Sequence, residues 1–220
     1  DRSASNRVPP DRVPPDRIPP DRIPPDRIPP DRVPPARSRL APTVAAALVL
    51  LALTAVALLI GLRSGRYLND DAYITLTFAK NLAAGRGFVY NQPPPVLGTT
   101  TPLFTLVVTA LARLLPDADI VAIAVLVGAA CWAGIVWTIY LFRSAWGLER
   151  WQALVVGLVV VACGEVWFLG MEAYPFAFLL VLGWSLFFAR RYLLAGIVCG
   201  LLFLTRGEGV LVLGLQVAWL

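Results

Sequence analysis

The strongest constraint on this 220-residue chain is an uncharged stretch from Ala41 to Leu62, flanked by Arg37 and Arg39 before it and by Arg63 and Arg66 after it. A helix crosses the roughly 30 Å hydrocarbon core of a bilayer in about 20 residues, and this stretch has that length with no charge to desolvate. It is too long for the apolar region of a signal peptide and has no convincing small-residue cleavage site, so it reads as a retained first span. More apolar runs follow at Ile120 to Phe142, Gln152 to Gly170, Ala173 to Ala189, Tyr192 to Thr205, and from Val210 to the last residue, Leu220. Hydrophobic residues make up 58% of the chain, charged residues 15%, and the mean hydropathy is +0.70. These values predict an all-α integral membrane protein, multispanning, with residues 41–62 as the first transmembrane helix and about five more in 119–220. The chain opens on Asp1 rather than Met and stops inside an apolar run, so both ends read as truncated and the last span as incomplete.

Residues 1–40 are of a different kind. Asn6-Arg-Val-Pro-Pro is followed by five copies of Asp-Arg-(Val/Ile)-Pro-Pro, ending at Pro35. Two prolines in five residues forbid helix and sheet ladders, so this tail is expected to be disordered, with extended, polyproline-II-like character. It can serve as a spacer, as upstream sequence read in frame, as a ligand for a proline-binding domain, or as a basic segment drawn to anionic lipid. Nine of the 19 basic residues and six of the 14 acids lie in it, giving it net charge +3 and the remaining 180 residues only +2. Basicity here marks topology, and no nucleic-acid partner is expected. Histidine is absent, and Cys131, Cys163 and Cys199 sit singly in apolar runs, as small packing residues rather than metal ligands.

The run from Leu103 to Leu115 decides the topology. It is short, contains Arg113 and ends in Leu115-Pro116-Asp117, which suits an interfacial or re-entrant segment better than a span. If it does not cross and the tail is cytoplasmic, Arg143, Arg150, Arg190 and Arg191 all fall on the cytoplasmic side, as the positive-inside rule prefers. Residues 63–118 then form one long extracytoplasmic loop with two juxtamembrane helices. Glu172, Arg206 and Glu208 face the same side.

Asn69-Asp70-Asp71 opens a plausible helix that ends near Gly85 and Gly87. Asn and Asp are good helix starters, and acids suit the positive helix end. Paired carboxylates at a membrane surface can also keep one unprotonated base while the other orients a group or helps bind a cation. At helical spacing Asp70, Thr77 and Asn81 share a stripe. Lys80 lies on another side, where it snorkels or contacts a phosphate. Glu165, Glu172, Arg206 and Glu208 interrupt apolar sequence, and ionisable groups there usually pair or line a polar cavity. Arg206 paired with Glu172 or Glu208 would lock helices together, and an Arg-lined cavity would equally suit a lipid-linked phosphate.

Three blocks carry a family resemblance. Asp70-Asp-Ala-Tyr-Ile-Thr-Leu-Thr-Phe-Ala-Lys-Asn-Leu82, with Gly85-Arg-Gly-Phe-Val-Tyr-Asn91 and Gly98-Thr-Thr-Thr-Pro-Leu103, resembles the first loop of GT-C fold glycosyltransferases. These are the bacterial relatives of protein mannosyltransferases, aminoarabinose transferases and mycobacterial arabinofuranosyltransferases. Gly170-Met-Glu-Ala173 and Leu204-Thr-Arg-Gly-Glu-Gly209 resemble two later motifs of the group, in the same order over about 140 residues. The resemblance implies a multi-pass enzyme of the cell membrane. It would take sugar from a polyprenyl-phosphate donor and deliver it, with inversion, to a cell-envelope glycan, lipid or protein acceptor on the extracytoplasmic face. Asp70 matches the loop carboxylate that acts as general base and Asp71 the adjacent acid of the catalytic pair. Arg206 is then the cation for the leaving phosphate, with Lys80 second, and Asn81, Glu172 and Glu208 complete the substrate-binding set. Thr77 stands where relatives often carry Arg, Gln92-Pro93-Pro94-Pro95 where they carry Gly-Glu, and Gly207 where they carry Pro. These departures bear on donor-phosphate contacts and on any divalent metal, which the sequence does not require, more than on the fold.

Two other classes fit the composition: a secondary transporter or flippase, and a non-catalytic membrane scaffold. Transporters favour helices broken at the bilayer midplane and short loops, whereas the polar residues here gather in a long loop and at helix ends.

Overall fold

The computed structural model describes residues 40–64, 68–91 and 98–220. The proline-rich tail up to residue 39 and the Gln92-Pro-Pro-Pro95 segment lie outside the described residues. Eight α-helices and no strand occur among the described residues. They are α1 (Leu40–Ser64), α2 (Asp70–Ala83), α3 (Pro102–Leu114), α4 (Ile120–Leu141), α5 (Arg150–Ala162), α6 (Ala173–Phe188), α7 (Tyr192–Thr205) and α8 (Gly209–Trp219), with a 3-10 turn at Val166–Phe168 before α6. Thr43–Arg63 within α1 and Ile120–Leu141 in α4 are long and apolar enough to cross a membrane.

Local chemistry sets the boundaries. Pro102 stands in the first turn of α3, where its missing N–H loses nothing, and the carboxylate of Asp119 accepts from the Ala122 N–H to start α4. Gly85, at φ 75°, ends α2: its N–H and that of Arg86 bond back to the carbonyls of Leu82 and Asn81.

α4 is the axis of the first core. Trp132 is fully buried among Leu50, Leu53 and Ala57 of α1, Val161 of α5 and Leu169, and its indole N–H donates to the Val160 carbonyl at 3.0 Å. The Trp137 indole donates to Thr54 Oγ1 at 2.8 Å, tying α4 to α1. The apolar run from Gln152 to Gly170 is not one helix: α5 stops at Ala162. The chain then folds back because Gly164 lies against the Trp132 ring and the Leu169 carbonyl lies against Gly128, positions where a Cβ would collide. Of the three cysteines, Cys199 is buried and Cys131 half-buried, as packing residues, whereas Cys163 at the exit of α5 is exposed.

A second core joins α6, α7 and α8 through Leu179, Leu186, Ala195, Cys199, Leu202 and Val212. Phe187 meets Tyr192, Gly183 faces Val198 and Glu172 meets Arg206, so α6 and α7 run antiparallel, with Glu172 and Arg206 at one end and Arg190 and Arg191 at the other. α2 and α3 pack on each other and on the N-terminal half of α4, where Leu76, Ala79, Phe104 and Val108 enclose Ile123 and Ala124. At 1.5 Å per residue the 13-residue α3 is about 20 Å long, shorter than a hydrocarbon core. The outward faces of α1, α5, α7 and α8 are aliphatic, with Leu48, Leu51, Leu59, Leu158, Leu193, Ile197, Leu211 and Leu215 all exposed. Water would drive such faces together, whereas hydrocarbon solvates them.

Candidate functional site

The start of α2, the approach to α3, the approach to α6 and the α7–α8 turn meet around one cavity of about 310 Å³. Its wall is formed by Asp71, Ile74 and Thr75 of α2, by Gly98 to Thr101, by Met171 and Glu172, and by Arg206.

The position of each side chain has a local cause. Asn69 occupies the N-cap of α2 but makes no side-chain cap bond, so the acids Asp70 and Asp71 are the first-turn groups that complement the helix dipole. Asp71, Ile74 and Thr75 follow at helical spacing and present one stripe to the cavity. Gly170 lies so close to the Leu68 side chain that a Cβ there would overlap it, and this contact sets the path into Glu172. α7 ends where Arg206 turns to an extended backbone, its N–H bonded to the Leu202 carbonyl. Gly209 then passes against the backbone of Leu202 and Phe203, at distances that leave no room for a Cβ.

Arg206 is the electrostatic centre. Its Nη1 donates to Glu172 Oε1 at 3.4 Å and its Nη2 to Glu208 Oε1 at 3.1 Å. The Glu172 carboxylate is buried, with a side chain 10% exposed, whereas Arg206 is 43% and Glu208 59% exposed. The Glu208 hydrogen bond raises the Arg206 pKa against the opposing effect of partial burial, and the two carboxylate charges add to the rise. In return, the hydrogen bond from Arg206 holds the Glu208 carboxyl below its usual range.

Three hydroxyl-bearing residues of the wall lie close together. Thr99 and Thr101 lie 3.0 Å apart, and each is 3.5 Å from Thr75. All three residues are buried, and Thr101 stands just before Pro102 at the positive N-terminus of α3. Sequence reasoning did not assign these residues, although the threonine run before Pro102 falls in one of the blocks that carry the resemblance.

The predicted site residues separate into two groups. Asp71, Glu172 and Arg206 converge on the cavity, and Glu208 reaches it through its bond to Arg206. Asp70 is exposed and is not part of the wall. Asn81 is buried away from the cavity: its amide donates to the Val89 and Tyr90 carbonyls at 2.7 and 2.8 Å, and its oxygen accepts from Arg86. With Phe78 packed on Phe88 and Tyr90, this arrangement ties the post-helix loop to α2. Thr77 is turned back to the Tyr73 carbonyl at 2.7 Å, so the Asp70, Thr77, Asn81 stripe is not the one that faces the cavity. Lys80 lines a separate groove with Ala112, Pro116 and Asp119. No cluster of three metal-ligating side chains occurs among the described residues.

No family model matches the chain, and no curated protein or solved structure is found to match it. The chemistry available is therefore that of the wall itself: a carboxylate open to the cavity, a guanidinium held by two acids, and hydroxyls beside a helix N-terminus. Together these can deprotonate a hydroxyl and stabilise an anionic leaving group.

Proposed function

We propose that this chain belongs to a multispanning membrane glycosyltransferase of GT-C type that moves a sugar from a polyprenyl-phosphate donor to an acceptor hydroxyl. The observation that carries the reading is the convergence of Asp71, Glu172 and Arg206, drawn from three distant segments, on one cavity. Transfer with inversion needs a base behind the attacking hydroxyl and a cation at the departing phosphate. The Asp70/Asp71 pair supplies the base and Arg206 the cation, while Thr99 and Thr101 offer hydroxyls to sugar or phosphate oxygens. Arg143, Arg190 and Arg191 lie away from the cavity, in the turns that join α4 to α5 and α6 to α7, and Arg150 is the first residue of α5. That distribution supports a cavity on the extracytoplasmic face under the positive-inside rule.

The test uses the full protein in proteoliposomes with polyprenyl-phosphate-linked sugars as donors. The resemblance assigns the base to Asp70 and the cavity wall assigns it to Asp71, so Asp70→Asn and Asp71→Asn are assayed side by side. Loss of the base lowers transfer by about 10²–10⁴-fold with normal insertion of the protein. Full transfer by both variants would sink the proposal.

A further inference from the structure

The end of the bundle opposite the cavity carries its own chemistry. An aromatic cluster joins three segments there: Trp146 packs on Phe188 with centroids 5.0 Å apart, Phe187 on Tyr192 at 5.6 Å, and Phe188 on Trp219 at 6.4 Å. Arg143, Arg190 and Arg191 lie in the α4–α5 and α6–α7 turns at this end, and Arg150 opens α5. Arg143 spends its charge locally, over the Tyr140 ring and on the Tyr140 carbonyl. Among the described residues none of the four forms an ion pair, and Glu149, the one acid in these turns, accepts from the Trp151 indole. Arg150, Arg190, Arg191, Trp151, Tyr192 and Trp219 are all exposed.

Arg190 is held at φ 59°. Its N–H bonds to the Phe187 carbonyl and that of Arg191 to the Leu186 carbonyl, closing α6 with the two-bond motif that favours glycine at this position. The chain ends α2 and the turn before α5 with the same paired bonds, and there the left-handed residues are Gly85 and Gly147. Arg190 is the one non-glycine residue with positive φ among the described residues. A side chain kept where glycine would relieve backbone strain points to a use for that side chain.

We propose that this end binds anionic phospholipid headgroups, with Arg150, Arg190 and Arg191 on the phosphates and Trp151, Tyr192 and Trp219 seated at the headgroup level. Exposed unpaired guanidinium groups attract lipid phosphate, and exposed indoles and phenols beside an aliphatic surface sit at the bilayer interface. Interfacial lipid, rather than a soluble anion, is favoured because Trp151, Tyr192 and Trp219 are exposed beside charged or aliphatic residues of their own segments, Tyr192 leading directly into Leu193 and Leu194, which are also exposed.

The experiment uses the full protein in nanodiscs of equal phosphatidylglycerol and phosphatidylcholine content, with retained lipid counted by native mass spectrometry. Phosphatidylglycerol is expected to be retained preferentially, with about a fivefold loss of retention for each arginine removed in Arg190→Gln and Arg191→Gln. Arg190→Gly adds a second readout. It should raise the melting temperature in neutral detergent by relieving the left-handed strain, yet lose the extra stabilisation that phosphatidylglycerol gives the unmodified protein. If an Arg190 variant fails to insert, Arg150→Gln reads the same surface. Equal retention of the two lipids, retention unchanged in the variants, or the same stabilisation from inorganic phosphate alone would overturn the proposal.

Discussion

Gly128→Ala tests whether the turn after α5 is fixed by contact with α4. The Leu169 carbonyl lies against Gly128, and a Cβ there would meet backbone rather than the yielding end of a side chain. Overpacking of this kind costs about 1–3 kcal/mol, with rigid neighbours at the upper end. Replacing a helical glycine returns about 0.5–1 kcal/mol through backbone entropy. The net expectation is a loss of about 2 kcal/mol, or a melting temperature lower by about 4–8 °C for a chain of this size. Gly200→Ala is the matched control: it too lies within a helix, α7, but nothing stands within 4 Å of its Cβ position. There only the entropy gain of about 0.5–1 kcal/mol remains, and the melting temperature should rise by about 1–4 °C. Thermal unfolding of both variants in one detergent, followed by near-ultraviolet circular dichroism, reads the contrast. The seven tryptophans report on tertiary packing, with Trp132 next to the altered contact. A Gly128→Ala protein that melts at or above the unmodified one would refute the close packing of residues 163–169 on α4.

Asn81→Asp keeps the shape of the side chain but removes both donors to Val89 and Tyr90; leaving the buried Val89 carbonyl and the half-buried Tyr90 carbonyl without these donors should cost about 1–3 kcal/mol and speed proteolysis between Gly85 and Asn91. The Arg206–Glu208 bond gives a pH signature: because the Glu208 carboxyl is held below its ordinary value of 4.5, its stabilising effect is present above that value and fades as pH falls through the lowered one. Glu208→Gln should flatten that acid limb of the melting profile, and an unchanged limb would mean that the pair is not formed in the protein.

Much of the helical layout was legible because apolar runs bounded by charge are a strong signal. The α6, α7 and α8 starts fall within a residue of the expected ones, at Ala173, Tyr192 and Gly209. The break in Gln152 to Gly170 was not legible, because hydropathy is blind to whether Gly164 continues a helix or receives an indole ring from a residue 32 positions earlier. Asn81 shows the same limit at the site. The resemblance placed it in the substrate-binding set, but its partners are the carbonyls of Val89 and Tyr90, and nothing in the spacing announces that loop closure. The threonine wall escaped for a related reason: Thr75 meets Thr99 and Thr101 only through packing of the segment before α3 on α2.

Adjacent aspartates need not share a site. Successive residues of an α-helix point about 100° apart, and at the start of α2 it is Asp71, not Asp70, that lines the cavity. The stripe of Asp71, Ile74 and Thr75 faces it. Both carboxylates still lie in the first turn, where the helix dipole favours negative charge, so neither is unfavourable for the fold. The helix start therefore holds at a cavity wall an exposed carboxylate that forms no ion pair among the described residues, whereas Glu172 is buried and paired with Arg206. Under the proposed transfer reaction this difference divides the labour. A base must remain free to take a proton, and the acid already bonded to the cation is not free. Glu172 thus fixes the guanidinium, and the proton goes to the start of α2.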